Sequence, residues 1–129
     1  MNEQTIIETK QKLKTIQKRY NLNQVFVYDE KHPINSGHHQ YLIQIGEKPN
    51  HLVFIQFQNG PRKEEGSESG ILDVDLLEIV RHRLQSFQAG PYATRENAIA
   101  LTHVEEALLW MNKRVEDRAD DNKLGTNKV

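Results

Sequence analysis

The chain has 129 residues, no cysteine, a formal net charge of −1, 36% hydrophobic residues and 27% charged ones. These values exclude a disulfide framework, a Cys-based zinc site and the broad basic field of a duplex-binding domain. They suit one domain with a modest core, wet enough that a partner subunit is expected to finish part of its apolar surface. No run of 18 apolar residues is present, and Met1-Asn2-Glu3-Gln4 lacks the basic-then-apolar pattern of a secretion signal, so a soluble cytoplasmic protein is expected.

In chain order, Ile6, Leu13, Ile16 and Tyr20 fall at helical spacing and predict a helix over residues 3–20. Lys10, Lys12, Lys14, Lys18 and Arg19 make it basic, either as a solvated edge or as a phosphate-facing patch. Three strands are predicted, at residues 25–28, 41–45 and 52–57, each rich in β-branched or aromatic side chains. The links at 31–37 and 46–50 carry Pro, Gly and Asn, as turns between antiparallel strands do. Residues 58–70 form one long loop, with a turn signal at Asn59-Gly60-Pro61 and a Glu-, Ser- and Gly-rich stretch, Glu64 to Gly70, expected to be mobile.

The second half reads as a helical hairpin. Helix 73–88 has Asp75 and Glu78 at capping-box spacing, the stripe Leu77, Val80, Leu84 and Phe87, and a stop at Gly90-Pro91. Helix 95–118 has Thr94 as N-cap and the stripe Leu101, Val104, Leu108, Met111 and Val115, widened by Ala100, Ala107 and Trp110. A stripe this wide predicts packing on two sides, one of them a second copy. The expected organisation is a single α+β domain over 1–118, with helix and small antiparallel sheet in 1–58, the hairpin in 71–118, and a polar, frayed tail at 119–129.

Catalysis finds little support. His38-His39 lies in a turn without HExxH, HxH or DxD spacing, His82 and His103 lie on different helices, and Ser36, Ser67, Ser69 and Ser86 have no local base. No P-loop, GxGxxG or GxSxG occurs. No catalytic residue, cofactor or metal site is therefore expected. Binding is better supported by the turn Phe87-Gln88-Ala89-Gly90-Pro91-Tyr92-Ala93-Thr94-Arg95-Glu96-Asn97. Aromatic faces stack on bases, amides read base edges or ribose hydroxyls, and a helix start favours phosphate. By pattern alone Phe87, continuing the Leu77–Val80–Leu84 stripe, reads better as closing the hairpin core, and Tyr92 could staple the turn. Arg95 and Asn97 fit a nucleotide site better than a plain reversal. Arg114 is either a snorkelled edge residue or a phosphate clamp. It lies 17 residues beyond Asn97, about 25 Å along a helix, so a ligand touching both requires an antiparallel second subunit. Arg62 sits in the long loop, where it is an ordinary loop arginine or part of a closing lid.

Four segments together carry a family resemblance. They are Phe57-Gln58-Asn59-Gly60-Pro61-x-Lys63-Glu64; Leu76-Leu77-x-Ile79-Val80-x-x-Arg83-Leu84-x-x-Phe87-Gln88-x-Gly90-Pro91; Arg95-Glu96-Asn97-Ala98-Ile99-Ala100-Leu101-Thr102; and Glu105-Glu106-Ala107-Leu108-x-Trp110-x-x-x-Arg114. Over residues 54–118 the chain resembles the phage Thoeris anti-defence sponges of the first-described type, whose hairpin is similar to that of the phage anti-CBASS sponges. The resemblance implies a non-enzyme that holds cyclic nucleotide immune signals uncleaved in the host cytoplasm. Its ligands would be glycocyclic ADP-ribose isomers and, in some members, cyclic trinucleotides. It implies dimers and hexamers built from dimers, with no DNA, RNA or membrane partner. It carries the stacking aromatic onto Phe87, the base- or ribose-contacting amide onto Asn97, the phosphate-binding arginine onto Arg114 and a further ligand-contacting arginine onto Arg62. A trinucleotide site where chains meet would draw on Arg118, His103 or the basic N-terminal helix. The competing readings are a ligand-free structural hairpin and a cyclic-nucleotide hydrolase.

Overall fold

A computed structural model of the chain describes residues 9–48, 51–121 and 126. The chain divides into two compact units, residues 1–57 and 58–129.

The first unit is a four-stranded antiparallel meander of β1 (Gln11–Lys12), β2 (Asn23–Val27), β3 (Gln40–Ile45) and β4 (Leu52–Gln56), in that spatial order. The three longer strands fall within two residues of their predicted bounds. Short turn-rich links make antiparallel pairing the accessible choice. The register pairs Phe26 with Leu42 and Leu42 with Phe54, so these three share one face. On it Tyr28 meets Phe54 edge-on at 5.5 Å, and Gln40 donates to Gln56 at 2.9 Å. The opposite face carries Val27 and an edge-on Tyr41–Phe57 pair at 5.6 Å. Among the described residues, the buried hydrophobics are Phe26, Val27 and Leu42, all in this sheet.

The β2–β3 link is held by polar side chains. The Asp29 carboxylate accepts the backbone N–H groups of His39 (2.8 Å) and Gln40 (3.2 Å) and lies 3.6 Å from His38 Nδ1. His32 Nδ1 accepts the N–H groups of Ile34 and Asn35, and the His39 ring bonds to Asn35. The His38-His39 pair therefore helps to shape a turn.

The helix predicted over 3–20 does not form across its described second half. Gln11 and Lys12 are strand residues paired with Val27 and Phe26, and the Leu13 N–H continues that ladder to the Val25 carbonyl at 2.9 Å. Ile16 is fully exposed, and Tyr20 has a left-handed φ of 62°. The apparent helical stripe thus faces no core. Ile6 and the rest of residues 1–8 lie outside the described residues.

In the second unit, the loop predicted to be mobile is closed on itself. Asn59 and Glu68 exchange backbone hydrogen bonds, and the Gln58 N–H reaches the Ile71 carbonyl. Gly60, at φ 84°, sits so close to Ser67 that a Cβ would approach the hydroxyl oxygen to 2.8 Å. Two helices follow, α1 (Asp73–Gln88) and α2 (Arg95–Asp120). The α1 start differs from the capping box expected at Asp75 and Glu78. Asp75 is instead the acid of the first turn, and its carboxylate accepts the N–H of the N-cap Leu72 at 2.8 Å. The expected cap of α2 is present, with Thr94 Oγ1 accepting the Asn97 N–H at 3.0 Å. Helix α2 also runs on through Ala119 and Asp120, which were expected to fray.

The seam between the helices uses Leu77, Arg81, Leu84 and Gln88 against Leu101, Val104, Leu108 and Met111, all half-buried. Arg81 ties it, reaching Glu105 across the seam at 2.9 Å and Glu78 on its own helix at 3.4 Å. The bond to Glu105, then that to Glu78, holds the guanidinium pKa above its ordinary value. Neither helix contains a buried residue.

Candidate functional site

The turn between α1 and α2 is built by its own side chains. The Gln88 carboxamide donates to the Thr94 carbonyl at 3.0 Å and accepts the Thr94 N–H at 2.9 Å. This two-bond clamp closes six residues and fixes the N-cap of α2. Thr94 then orients the first helical turn through Asn97. With its backbone N–H engaged, Asn97 keeps its side-chain amide unspent, since among the described residues no partner bonds to it. Phe87 directly precedes the clamp, so the clamp places Phe87 and Asn97 at one end of the hairpin.

Phe87 does not continue the hairpin seam. Its ring is 42% exposed, and the Arg83 guanidinium lies over it, 5.3 Å from the ring centroid. The stripe expected to bury it fails because the seam follows Leu77, Arg81, Leu84 and Gln88, which turns Val80 and Phe87 outward. Tyr92 is exposed and staples nothing among the described residues, and Arg95 opens α2 with an exposed side chain. Arg83 and Gln88 were not singled out from sequence. Arg83 lies four residues before Phe87 on the same helix, a spacing at which side chains meet. A carboxamide clamp onto backbone leaves no pattern in composition.

Arg114 stands on the same continuous helix as Asn97, with no ion pair among the described residues. The 17-residue step between them is about 25 Å, so the structure does not bring the two together within one chain. Beside Arg114, the exposed Leu109 and Trp110, with Glu106 and Lys113, line an open cleft of about 320 Å³. Lys113 is turned aside by a 2.6 Å bond to Asp117, which also raises its pKa.

Arg62 is a brace. Its Nε donates to Gln58 Oε1 at 3.0 Å and a terminal nitrogen donates to the Gly70 carbonyl at 3.1 Å, so it spans the base of the loop. The lid expected there is instead a fastened loop, with part of the guanidinium left exposed.

Chemistry beyond binding has few candidates. The Ser67 and Ser86 hydroxyls donate to backbone carbonyls, and His103 lies 3.7 Å from Glu106 on the α2 surface. Among the described residues no group of three or more His, Cys, Asp or Glu is placed to hold a metal, and no helix is long and apolar enough to cross a membrane.

Comparison with known proteins coincides with the hairpin. Residues 49–116 match the Acb2/Tad1 hairpin domain, a span that contains Arg62, Phe87, Tyr92, Arg95, Asn97 and Arg114. A 76-residue stretch is 43% identical to a protein called Thoeris anti-defense 1 from Bacillus phage SBSphiJ7, covering 59% of this chain and 53% of that one. The chain thus spans about half the length of this relative.

Proposed function

This chain belongs to the Acb2/Tad1 hairpin-domain family, and from that premise we propose that it captures a cyclic nucleotide signal of the glycocyclic ADP-ribose type and holds it uncleaved, so that an anti-phage defence is not triggered. The observation that carries this reading is the turn itself. A half-exposed aromatic and an amide with an unspent side chain share one end of a hairpin that buries none of its residues. The name of the phage relative, Thoeris anti-defense 1, agrees with it.

In this reading Phe87 stacks on the adenine, worth about 1–3 kcal/mol by analogy with base stacking on protein aromatics. Asn97 hydrogen-bonds the base or its ribose. Arg114 of a second copy, whose hairpin runs antiparallel to the first, clamps the diphosphate through charge-assisted bonds. The exposed Leu109–Trp110 surface beside Arg114 receives the neighbouring turn, with Arg95 and Tyr92 at the rim. The exposed part of the Arg62 guanidinium contributes from the loop. Two chains enclosing one ligand bury most of its surface, and slow release follows from that enclosure. Assembly of dimers into a hexamer, and capture of cyclic trinucleotides where chains meet, extend the same scheme.

The test is capture and recovery. The protein is incubated with a glycocyclic ADP-ribose, separated from free ligand and heat-denatured. Intact ligand in the supernatant is expected; cleaved product means a hydrolase, and no ligand means a structural hairpin. Sharing of the site between copies has its own readout. Asn97→Ala and Arg114→Ala each abolish tight binding alone. Mixed as unfolded chains and refolded together, they restore one intact site per mixed dimer. Failure to restore binding, with mixed dimers present, rejects the two-chain site.

A further inference from the structure

The first unit holds a concave surface that the hairpin reading leaves unused. β1, the segment after it and the start of β2 enclose an open groove of about 340 Å³, with Lys12, Lys14 and Lys18 on its walls. Residues 9–28 contain five of the chain's seventeen Lys and Arg and none of its eighteen Asp and Glu. Two basic residues of the hairpin are paired instead, Arg81 with two carboxylates and Lys113 with one. Among the described residues, no carboxylate pairs with any of the three groove lysines.

The groove is also held in shape. Lys12 and Lys14 flank Leu13, whose N–H extends the β1 ladder, so the two side chains leave the same side of an extended segment, about 6–7 Å apart. Lys18 rides on a loop braced from within. Thr15 Oγ1 donates to the Gln17 carbonyl, Gln17 Nε2 donates to the carbonyls of Arg19 and Tyr20, and Asn21 Nδ2 donates to Thr15 Oγ1 and the Gln17 carbonyl. Three lysines therefore line one preformed surface, and a counter-charge relieves the repulsion among them. A phosphate monoester carries about −1.5 to −2 near neutral pH, so a charge of three calls for more than one phosphate.

We propose that this groove is a second binding site, built from first-unit residues alone, for a small ligand carrying a diphosphate or longer phosphate chain. The lysines hold the phosphates as point charges, so binding weakens as salt rises.

Isothermal titration of the full chain at about 0.1 M salt, with inorganic phosphate, pyrophosphate and tripolyphosphate as probes, tests it. One saturable site per chain is expected, tightening from phosphate to tripolyphosphate. The triple variant Lys12→Gln/Lys14→Gln/Lys18→Gln binds at least tenfold more weakly. ADP binding tighter than pyrophosphate assigns the site to nucleotides; equal affinity assigns it to inorganic phosphates. Backbone amide shifts in the unmutated protein give a readout independent of how the variants fold. Tripolyphosphate moves residues 12–18 and 23–25 and leaves 87–97 in place. Absence of saturable binding, undiminished binding by the triple variant, or shifts confined to 87–97 overturns the proposal.

Discussion

The sheet and the hairpin solve the same problem in opposite ways. The sheet buries Phe26, Val27 and Leu42, and seals its β2–β3 turn with Asp29, His32 and Asn35. The hairpin is longer and more regular, yet every one of its residues is at least partly exposed, and Ile79, Val80, Phe87, Ile99, Leu109, Trp110 and Val115 stand in the open. An amphipathic helix draws most of its stability from an apolar face packed on something. A hairpin whose apolar side chains lie on two faces has one of them left over after its seam is closed. The sheet closes a small core although Val53 and Phe54 stay about half exposed, while the hairpin closes none, and the proposed ligand site lies on the hairpin.

The largest blow to this contrast falls on the sheet. Phe26→Ala is expected to cost about 3–5 kcal/mol of stability, as truncation of a buried aromatic does, read as a fall in denaturation midpoint that does not depend on protein concentration. Next comes the leftover face. Trp110→Ala is expected to weaken self-association by about 2 kcal/mol or more, like an aromatic anchor at an interface. Sedimentation would show monomer at concentrations where the parent is assembled, with helix content kept once chains are concentrated. If Trp110→Ala acted like Phe26→Ala, independent of concentration, the hairpin would be a self-sufficient core and the contrast would collapse.

Smaller changes sharpen the picture at the turn. Thr94→Ala removes the cap of α2 and should cost about 1 kcal/mol, while also loosening Asn97, so ligand affinity should fall alongside thermal stability. The smallest effect belongs to the seam ion pair. Arg81 and Glu105 are each more than a third exposed, and solvent screens such pairs heavily. Arg81→Met should shift the melting temperature slightly, and 1 M salt should erase much of the difference from the parent.

Local signals were legible and long-range ones were not. The strands 23–27, 40–45 and 52–56 announced themselves through β-branched and aromatic runs, and α1 and α2 through periodicity, Thr94 and Gly90-Pro91. β1 did not, because Gln11 and Lys12 have no strand propensity and owe their conformation to pairing with Val27 and Phe26. Leu13, Ile16 and Tyr20 imitated a helix face, but Leu13 is half-buried at the sheet edge while Ile16 and Tyr20 are exposed. Glu64 to Gly70 looked mobile by composition, but the order of the loop comes from Asn59–Glu68 and from Arg62 bridging Gln58 and Gly70, contacts between residues 4 to 9 apart. At the site, residue types were readable and rotation was not. Phe87 fits a seam stripe on paper, and the phase that turns it outward is set by Arg81 and Gln88, polar residues that a hydrophobic pattern passes over.

The unequal lengths of the two helices, 16 residues against 26, act as a ruler. The excess of ten residues is about 15 Å of helix, and Arg114 lies within the last ten residues of α2, 111–120. Each added residue would advance the arginine by only about 1.5 Å but swing it through about 100°. A single insertion between Leu101 and Trp110 would therefore aim Arg114 away from a neighbouring turn, whereas a seven-residue insertion would restore its heading at a new spacing. If the proposed two-chain site holds, cargo size is written in the count of residues along one helix.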